Sequence, residues 1–518
     1  MMRHHALKPK SHRRRRAAAA RAVLCVLSLG GCAAGPDFTR PVPPPASRYT
    51  AEALRGEGAA AGTQVQHIAL GQQIEGAWWT LFRSDAIDDL VKQAVANNRS
   101  LTAAAATLKQ AQEFALAQAG SQYPQVGLAA AAGRQQYGKE FLGPIGVPPF
   151  TYFAVTPTVS YSLDYTGGIA RSVEQQYALA EVQRHQLEAA YLSVTGQAVM
   201  QALAIASARA QIATIETILA QDRDNLRLVQ TAFDNGSVAR EDVVSAQSQI
   251  ANDKTLLPSL RQDLARAHHA LSVVLGRVPA GGLPDDVDLQ QITLPLEVPV
   301  TLPSELAHRR PDILAAEAQL HAATSAVGVA QSNLYPKIQL SASVSQQSLK
   351  PDQLFDASST AWSLIAGITA PLFDGGTLRA EKRAAVDAMH ASAANYEQTV
   401  LEAFAQVADL LEGLEHDAEQ LEAQDQAQQA AQRSLELARI SYQEGNAGVL
   451  LVLDAERSYQ QARLGYVRAV AQRYLDTVQL FLALGGTTPS ASLAAASSPP
   501  ARPSRDSART RSDSANVF

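Results

Sequence analysis

Cys32 is the one side chain in this 518-residue sequence whose surroundings point to covalent chemistry. It follows Leu29-Gly30-Gly31, a run that resembles a bacterial lipobox, with Cys32 as the lipidated new N-terminus. An ordinary signal peptide with an incidental cysteine is the alternative. Other reactive side chains do not assemble. The 11 histidines show no ligand spacing. His268 and His269 are adjacent and so lie on different helix faces, and His308 and His321 stand alone, so no metal site is expected. No nucleophile elbow, phosphate loop or paired-glycine fingerprint occurs. Scattered Ser, Asp and His read as solvated polar faces. The sequence therefore reads as a non-enzyme with no cofactor, apart from a covalent lipid on Cys32.

The segment before Cys32 supports that reading. It carries basic residues, including the run Arg13–Arg16, and no Asp or Glu. The apolar stretch from Ala22 to Leu29 is too short to span a bilayer and has the shape of a secretory h-region. Ala33, rather than Asp, follows the cysteine, which in bacterial lipoproteins resembles the signal for the outer membrane. Processing lowers Lys plus Arg from 44 to about 36 while Asp plus Glu stays at 49, which argues against a nucleic-acid partner. Cys25 leaves with the signal, so no intramolecular disulfide is expected. No later run of 18 apolar residues occurs, so no transmembrane helix is expected, but a β-barrel can still cross a membrane.

The elements behind these residues occur twice. Tyr123-Pro124 recurs as Tyr335-Pro336, Gly167-Gly168 as Gly375-Gly376, and Leu275-Gly276 as Leu484-Gly485, about 209 residues on. Each copy opens with a helix, over 84–119 and from Ser304 to Asn333, which the Tyr-Pro step ends because a residue before proline leaves the α region. The period then switches from 3.6 to 2. In 151–164, Phe153, Val155, Pro157, Val159, Tyr161 and Leu163 share one face, opposite small polar residues. In 337–345, Ile338, Leu340, Ala342 and Val344 do the same, and 125–134 and 361–372 are weaker versions. Such segments fit transmembrane barrel strands, with a half-buried strand of a soluble sheet as the alternative that export disfavours. Four strands cannot close a barrel, since the smallest need about eight; three chains would supply about twelve.

The glycine pairs let the chain turn into a long helix. From Ile169 to Asp234 there is no proline and one glycine, Gly196. Ile212, Ile215, Leu219, Leu226, Val229 and Phe233 follow coiled-coil spacing, with Asp222 interrupting the seam. Leu421, Leu435, Ala438 and Tyr442 match in the second copy. The rods reverse at Asn235-Gly236 and Gly445-Asn446, and helices return over 241–275 and 449–484, with a kink or break expected near Pro258. The organisation is thus a signal peptide (1–31), a lipid-anchored extended segment (32–83), repeat one (84–279), a linker (280–302), repeat two (303–486) and a disordered tail (487–518).

At this point the residues resemble a known family. The lipobox, Gly35-Pro36-Asp37-Phe38, Trp78-Trp79, Arg309-Arg310-Pro311-Asp312, Leu372-Phe373-Asp374-Gly375-Gly376 and Leu453-Asp454-Ala455-Glu456-Arg457 are together similar to the TolC-like outer-membrane factors, and more narrowly to NodT-type lipoproteins of RND efflux systems. The resemblance runs from Cys32 to Gly486. It departs at Asp164-Tyr165-Thr166-Gly167-Gly168, where relatives often carry an Asp-Leu-Phe-Gly-Arg type sequence.

The resemblance implies a mixed α and β membrane protein. It would be a homotrimeric twelve-stranded β-barrel, four strands per chain, continued by a long α-helical coiled-coil barrel in the periplasm. It implies a passive exit duct in the outer membrane for drugs or other small toxic compounds, working with a periplasmic adaptor and an inner-membrane RND pump. It assigns a gate to Leu450, Asp454 and Arg457, and adaptor contacts to the tips at Asn235, Gly236, Ser237, Gly445 and Asn446. Asp454 and Arg457 lie i,i+3, and the alternative for them is a local surface pair worth under about 1 kcal/mol. In the first copy Ser245 and Ser248 occupy the matching positions. Only Met200 and Met389 lie beyond the signal, which argues against copper as cargo. A duct for protein secretion and a structural coiled-coil envelope lipoprotein are the other readings.

Overall fold

The computed structural model describes residues 34–50, 66–73, 77–138, 148–282 and 287–486; Cys32, the signal segment and the tail from 487 lie outside them. In chain order the elements are β1 (His67–Leu70), α1 (Asp85–Asn97), α2 (Arg99–Gly120), β2 (Gln125–Gln135), β3 (Phe150–Leu163), α3 (Gly168–Asp234), α4 (Arg240–Lys254) and α5 (Leu256–Val274). Then follow β4 (Glu297–Val300), α6 (Pro303–Leu306), α7 (Pro311–Ser332), β5 (Lys337–Ser348), β6 (Thr360–Thr369), α8 (Thr377–Gln443) and α9 (Val449–Ala483). The chain divides into two compact units.

The first unit gathers 110–181 and 317–395 with the start of the chain. Its centre is an antiparallel sheet in the order β2-β3-β5-β6. Val126 pairs with Val159, Val159 with Ala342, and Ala342 with Leu364, a wholly apolar row. One residue along, Gly127 pairs with Thr158, Thr158 with Ser343, and Ser343 with Ser363. Because side chains alternate across a strand, this register collects the apolar residues on one face and the small polar ones on the other. The hydroxyls on the polar face bond each other: Thr156 Oγ1 to Ser345 Oγ at 2.7 Å and Ser343 Oγ to Ser363 Oγ at 2.8 Å.

The strands turn into helices through carboxylate caps. Asp164 Oδ2 accepts the amide of Ala170, and Asp374 accepts those of Gly376 and Leu378, each bond 2.8–2.9 Å. Those backbone amides hold the Asp374 carboxyl below the usual carboxylate range. Gly167, Gly375 and Gly376 all have positive φ, which a β-carbon disfavours.

The second unit gathers 41–109, 182–316 and the chain from 396. Trp78, Phe82 and Phe481 are fully buried at its core, with Leu203, Leu271 and Leu306. The helix expected over 84–119 is two helices. Asn98 breaks it, because its Oδ1 accepts the amides of Ser100 and Leu101 while its Nδ2 donates to Val274 O at 2.9 Å. A side chain that satisfies orphan amides starts a new helix where propensity alone would continue the old one. Pro311 starts α7 at the matching place. Arg310 there binds both oxygens of Asp312 and donates to Ala483 O, closing the end of α9.

Helices α3 and α8 each run 67 residues, about 100 Å at 1.5 Å per residue. Part of α3 is apolar and long enough to cross a membrane, but half of that window is buried in the chain. Gly196 lies within α3 where a β-carbon would come 2.5 Å from Leu482, so its absence permits close helix packing. The return path breaks at Thr255, three residues before Pro258. The proline thereby sits in the first turn of α5, where no intrahelical bond needs its amide. The small parallel pairing of β1 with β4 joins segments that read in sequence as extended chain and linker.

Candidate functional site

The apolar face of the sheet has little to cover it within the chain. Leu128, Trp362, Leu364 and Ile368 are all at least 70% exposed. Strands β2 and β6 are the sheet edges, and neither outer edge has a partner among the described residues. In water this would be a long sticky template; lipid is the solvent in which such a face is stable.

Immediately after Cys32 the chain is clamped to the first unit. The Ala34 amide donates to Thr166 O at 2.8 Å. A β-carbon on Gly35 would sit 2.5 Å from the Gly328 Cα. Arg171 binds Asp37, Phe38 stacks on His321 at 4.4 Å, and Arg40 pairs with Glu317 at 2.7 Å. The Gly35-Pro36-Asp37-Phe38 motif is thus a docking sequence. Cys32 itself lies outside the described residues.

Both helix tips are glycine reversals. Gly236 has φ 74° and Gly445 φ 73°. The amides of Ser237 and Asn446 reach back to Ala232 O and Ser441 O, satisfying carbonyls at the helix ends. Ala239 donates to Asp242 Oδ2 at 3.0 Å, fastening the start of α4. Val229, Val243 and Val449 form a shared apolar plug beneath the two tips, with Phe233, Val238, Tyr442 and Leu453. One small core therefore joins the two reversals that carry the five expected tip residues.

Leu450 lies on the first turn of α9 and is 55% exposed. Asp454 is one turn on and Arg457 two; Arg457 Nη1 lies 3.9 Å from Asp454 Oδ1, too far for a hydrogen bond. Arg457 instead donates from Nε to Gln249 Oε1 of α4 at 2.9 Å. The expected pair is therefore loose, and Gln249 is a partner that the sequence did not suggest.

Sequence reading also missed an acid pair further along α8 and α9. Asp417 and Asp476 lie 59 positions apart in sequence and face each other across the helices. Burial, then the Asp476 carboxyl, pushes Asp417 up to about 7, against the pull of Arg473 and His416. Beside it is a cavity of about 340 Å³ lined by Gln424, Gly465, Arg468 and Gln472 among others. Among the described residues no group of three or more His, Cys, Asp or Glu side chains could hold a metal ion.

A sheet with an uncovered apolar face and open edges, joined to helical hairpins of this length, defines an outer-membrane channel. The chain belongs to the outer membrane efflux protein family, whose model matches it twice, over residues 90–277 and 302–486. It is 30% identical over 441 residues to the pyoverdine export outer membrane protein OpmQ of Pseudomonas aeruginosa, covering 83% of this chain and 92% of that one. It is 29% identical to the cation efflux system protein CusC of Escherichia coli K12, covering 89% and 98%. Among solved structures the outer-membrane channel OprN matches with a TM-score of 0.79 at 27% identity, covering 88% of this chain and all of that one. CusC matches with a TM-score of 0.76 at 25% identity and the same coverage. The protein is the outer-membrane exit duct of an efflux system, and the tripartite RND-type role expected from its motifs fits these relatives.

Proposed function

We propose that three copies of this chain close a twelve-stranded barrel in the outer membrane, continued by an α-helical barrel in the periplasm, with Cys32 carrying a lipid anchor. The four-stranded sheet with one apolar face and two open edges carries this reading. Hydrocarbon tolerates no unpaired strand edge, so β2 of one copy must meet β6 of the next. The cargo proposed is a drug-type or other small toxic compound, passed on by an inner-membrane RND pump and a periplasmic adaptor; the duct itself performs no reaction. The export and efflux roles of OpmQ and CusC support small-compound efflux over protein secretion or envelope tethering.

The tips at Asn235, Gly236, Ser237, Gly445 and Asn446 are the proposed adaptor contacts, because all five are exposed at helix reversals. Leu450, Asp454 and Arg457 form the proposed gate: Leu450 is exposed, and Asp454 is only loosely engaged within its own chain, which leaves both for neighbouring copies. Single-channel conductance in planar bilayers tests this. The double variant Asp454→Ala with Arg457→Ala is expected to conduct more than wild type, and an unchanged conductance would remove the gate assignment.

A further inference from the structure

Asp222 interrupts the apolar seam of α3, where a coiled coil calls for a hydrocarbon, and the duct reading gives it no task. It is 5% exposed. Its Oδ1 accepts from Gln460 Nε2 of α9 at 3.0 Å, while its buried Oδ2 has no donor. The charged groups that act on it are both acids: the Asp253 carboxyl of α4, which accepts from Gln249, and Glu456 of α9. Glu456 is itself 2% exposed, with one oxygen on Arg439 of α8 at 2.7 Å and the other unpartnered. Two facing carboxylates are both acceptors, and a proton between them supplies the missing donor.

The pair is wired to the gate turn. Gln249 Nε2 donates to Asp253 Oδ2 at 2.8 Å, and Gln249 Oε1 accepts from Arg457 Nε at 2.9 Å. The amide cannot flip without setting its oxygen against a carboxylate and its NH₂ against a guanidinium. Gln249 therefore holds Arg457 on the α4 side, at its 3.9 Å separation from Asp454. The second repeat lacks this wiring: at the 209 offset the positions of Asp222, Gln249 and Asp253 are Ala431, Ser458 and Ala462.

We propose that Gln249 is the positioning residue for Arg457, and that a proton held between Asp222 and Asp253 sets that position, making the Leu450–Arg457 turn respond to pH. This rests on the gate reading above. Burial, with help from Asp253 and Glu456 and against the Gln460 bond, raises Asp222 from 3.8 to about 6. A pKa raised in the packed state means that its contribution is full below the unfolded value and is lost as pH rises through about 6. Acid therefore tightens the contact of α3 with α4. At neutral pH the second charge drives Asp253 away and disturbs Gln249 and Arg457.

The test is conductance of the full-length protein in planar bilayers at about pH 5 and about pH 7.5. If opening frees Asp222 to titrate normally, the closed-to-open ratio rises about tenfold in acid. The isosteric Asp222→Asn places a donor between the groups at every pH and should stay at the acid level throughout. Gln249→Ala should lose the pH dependence while folding normally. Wild-type conductance that is flat over this range, or either variant titrating like wild type, would overturn the proposal. A nitroxide on Ser237→Cys reports the start of α4 without relying on the gate. Its mobility should fall in acid in wild type and not in Asp222→Asn; equal behaviour in both backgrounds also overturns it. Failure of the Asp454→Ala/Arg457→Ala test with this mobility response intact would sink the gate reading alone.

Discussion

Replacing Leu364 and Ser363 in turn by arginine separates the two faces of the sheet with neighbouring residues on one strand. Strand β6 has 10 residues, which rise about 34 Å; at a tilt near 45° that spans about 24 Å, close to the apolar band of a bacterial outer-membrane barrel. Both positions fall near its midpoint. Leu364 continues the apolar row through Ala342, Val159 and Val126, and is 75% exposed within its own chain. In water, arginine there would be nearly neutral. In a bilayer it costs about 2–4 kcal/mol per chain. Ser363 lies on the hydroxyl row, bonded to Ser343. In the proposed barrel arginine there faces the interior, so it should leave membrane stability nearly unchanged and alter ion selectivity instead. Urea unfolding from lipid vesicles measures the first effect and reversal potentials measure the second. Equal destabilisation by Leu364→Arg and Ser363→Arg, or no effect of Leu364→Arg, would refute the assignment of the apolar face to lipid.

Two further outcomes test the helical unit. Asn98→Ala removes a helix cap and leaves the buried Val274 carbonyl without its donor, so it should cost about 2–4 kcal/mol in thermal or chemical unfolding; Asn98→Asp keeps the cap and should recover part of that. Asp417, raised to about 7, gives stability that is full below its ordinary value of 3.8 and is lost as pH rises through about 7. The melting temperature should therefore fall between about pH 5.5 and 8.5, and Asp417→Asn should flatten that fall; an unaltered pH profile would count against the half-buried pair.

Local patterns were legible where one residue's chemistry settles the backbone. The period-2 segments became β2, β3, β5 and β6 with ends within a few residues of those expected, because alternation and the Tyr-Pro steps act over a few bonds. The two 67-residue helices followed from the absence of proline and the glycines at their ends. Asn98 was less legible. Its capping role depends on Val274, distant in sequence and supplied only by folding, so it read as one more residue of a continuous helix.

The same divide runs through the functional residues. Sequence alone determined the duplication, the four period-2 strands, the two long helices and the glycine reversals at the tips, since each is a matter of residue type and short spacing. Only the tertiary structure decided the register that sorts the sheet into apolar and polar faces, because pairing joins strands as far apart as Val159 and Ala342. It alone set Arg457 on Gln249, 208 positions away, and Asp222 under Gln460, 238 positions away. Hydrogen bonds and burial act across a few ångströms of space, and chain separation carries no record of which distant groups will share them.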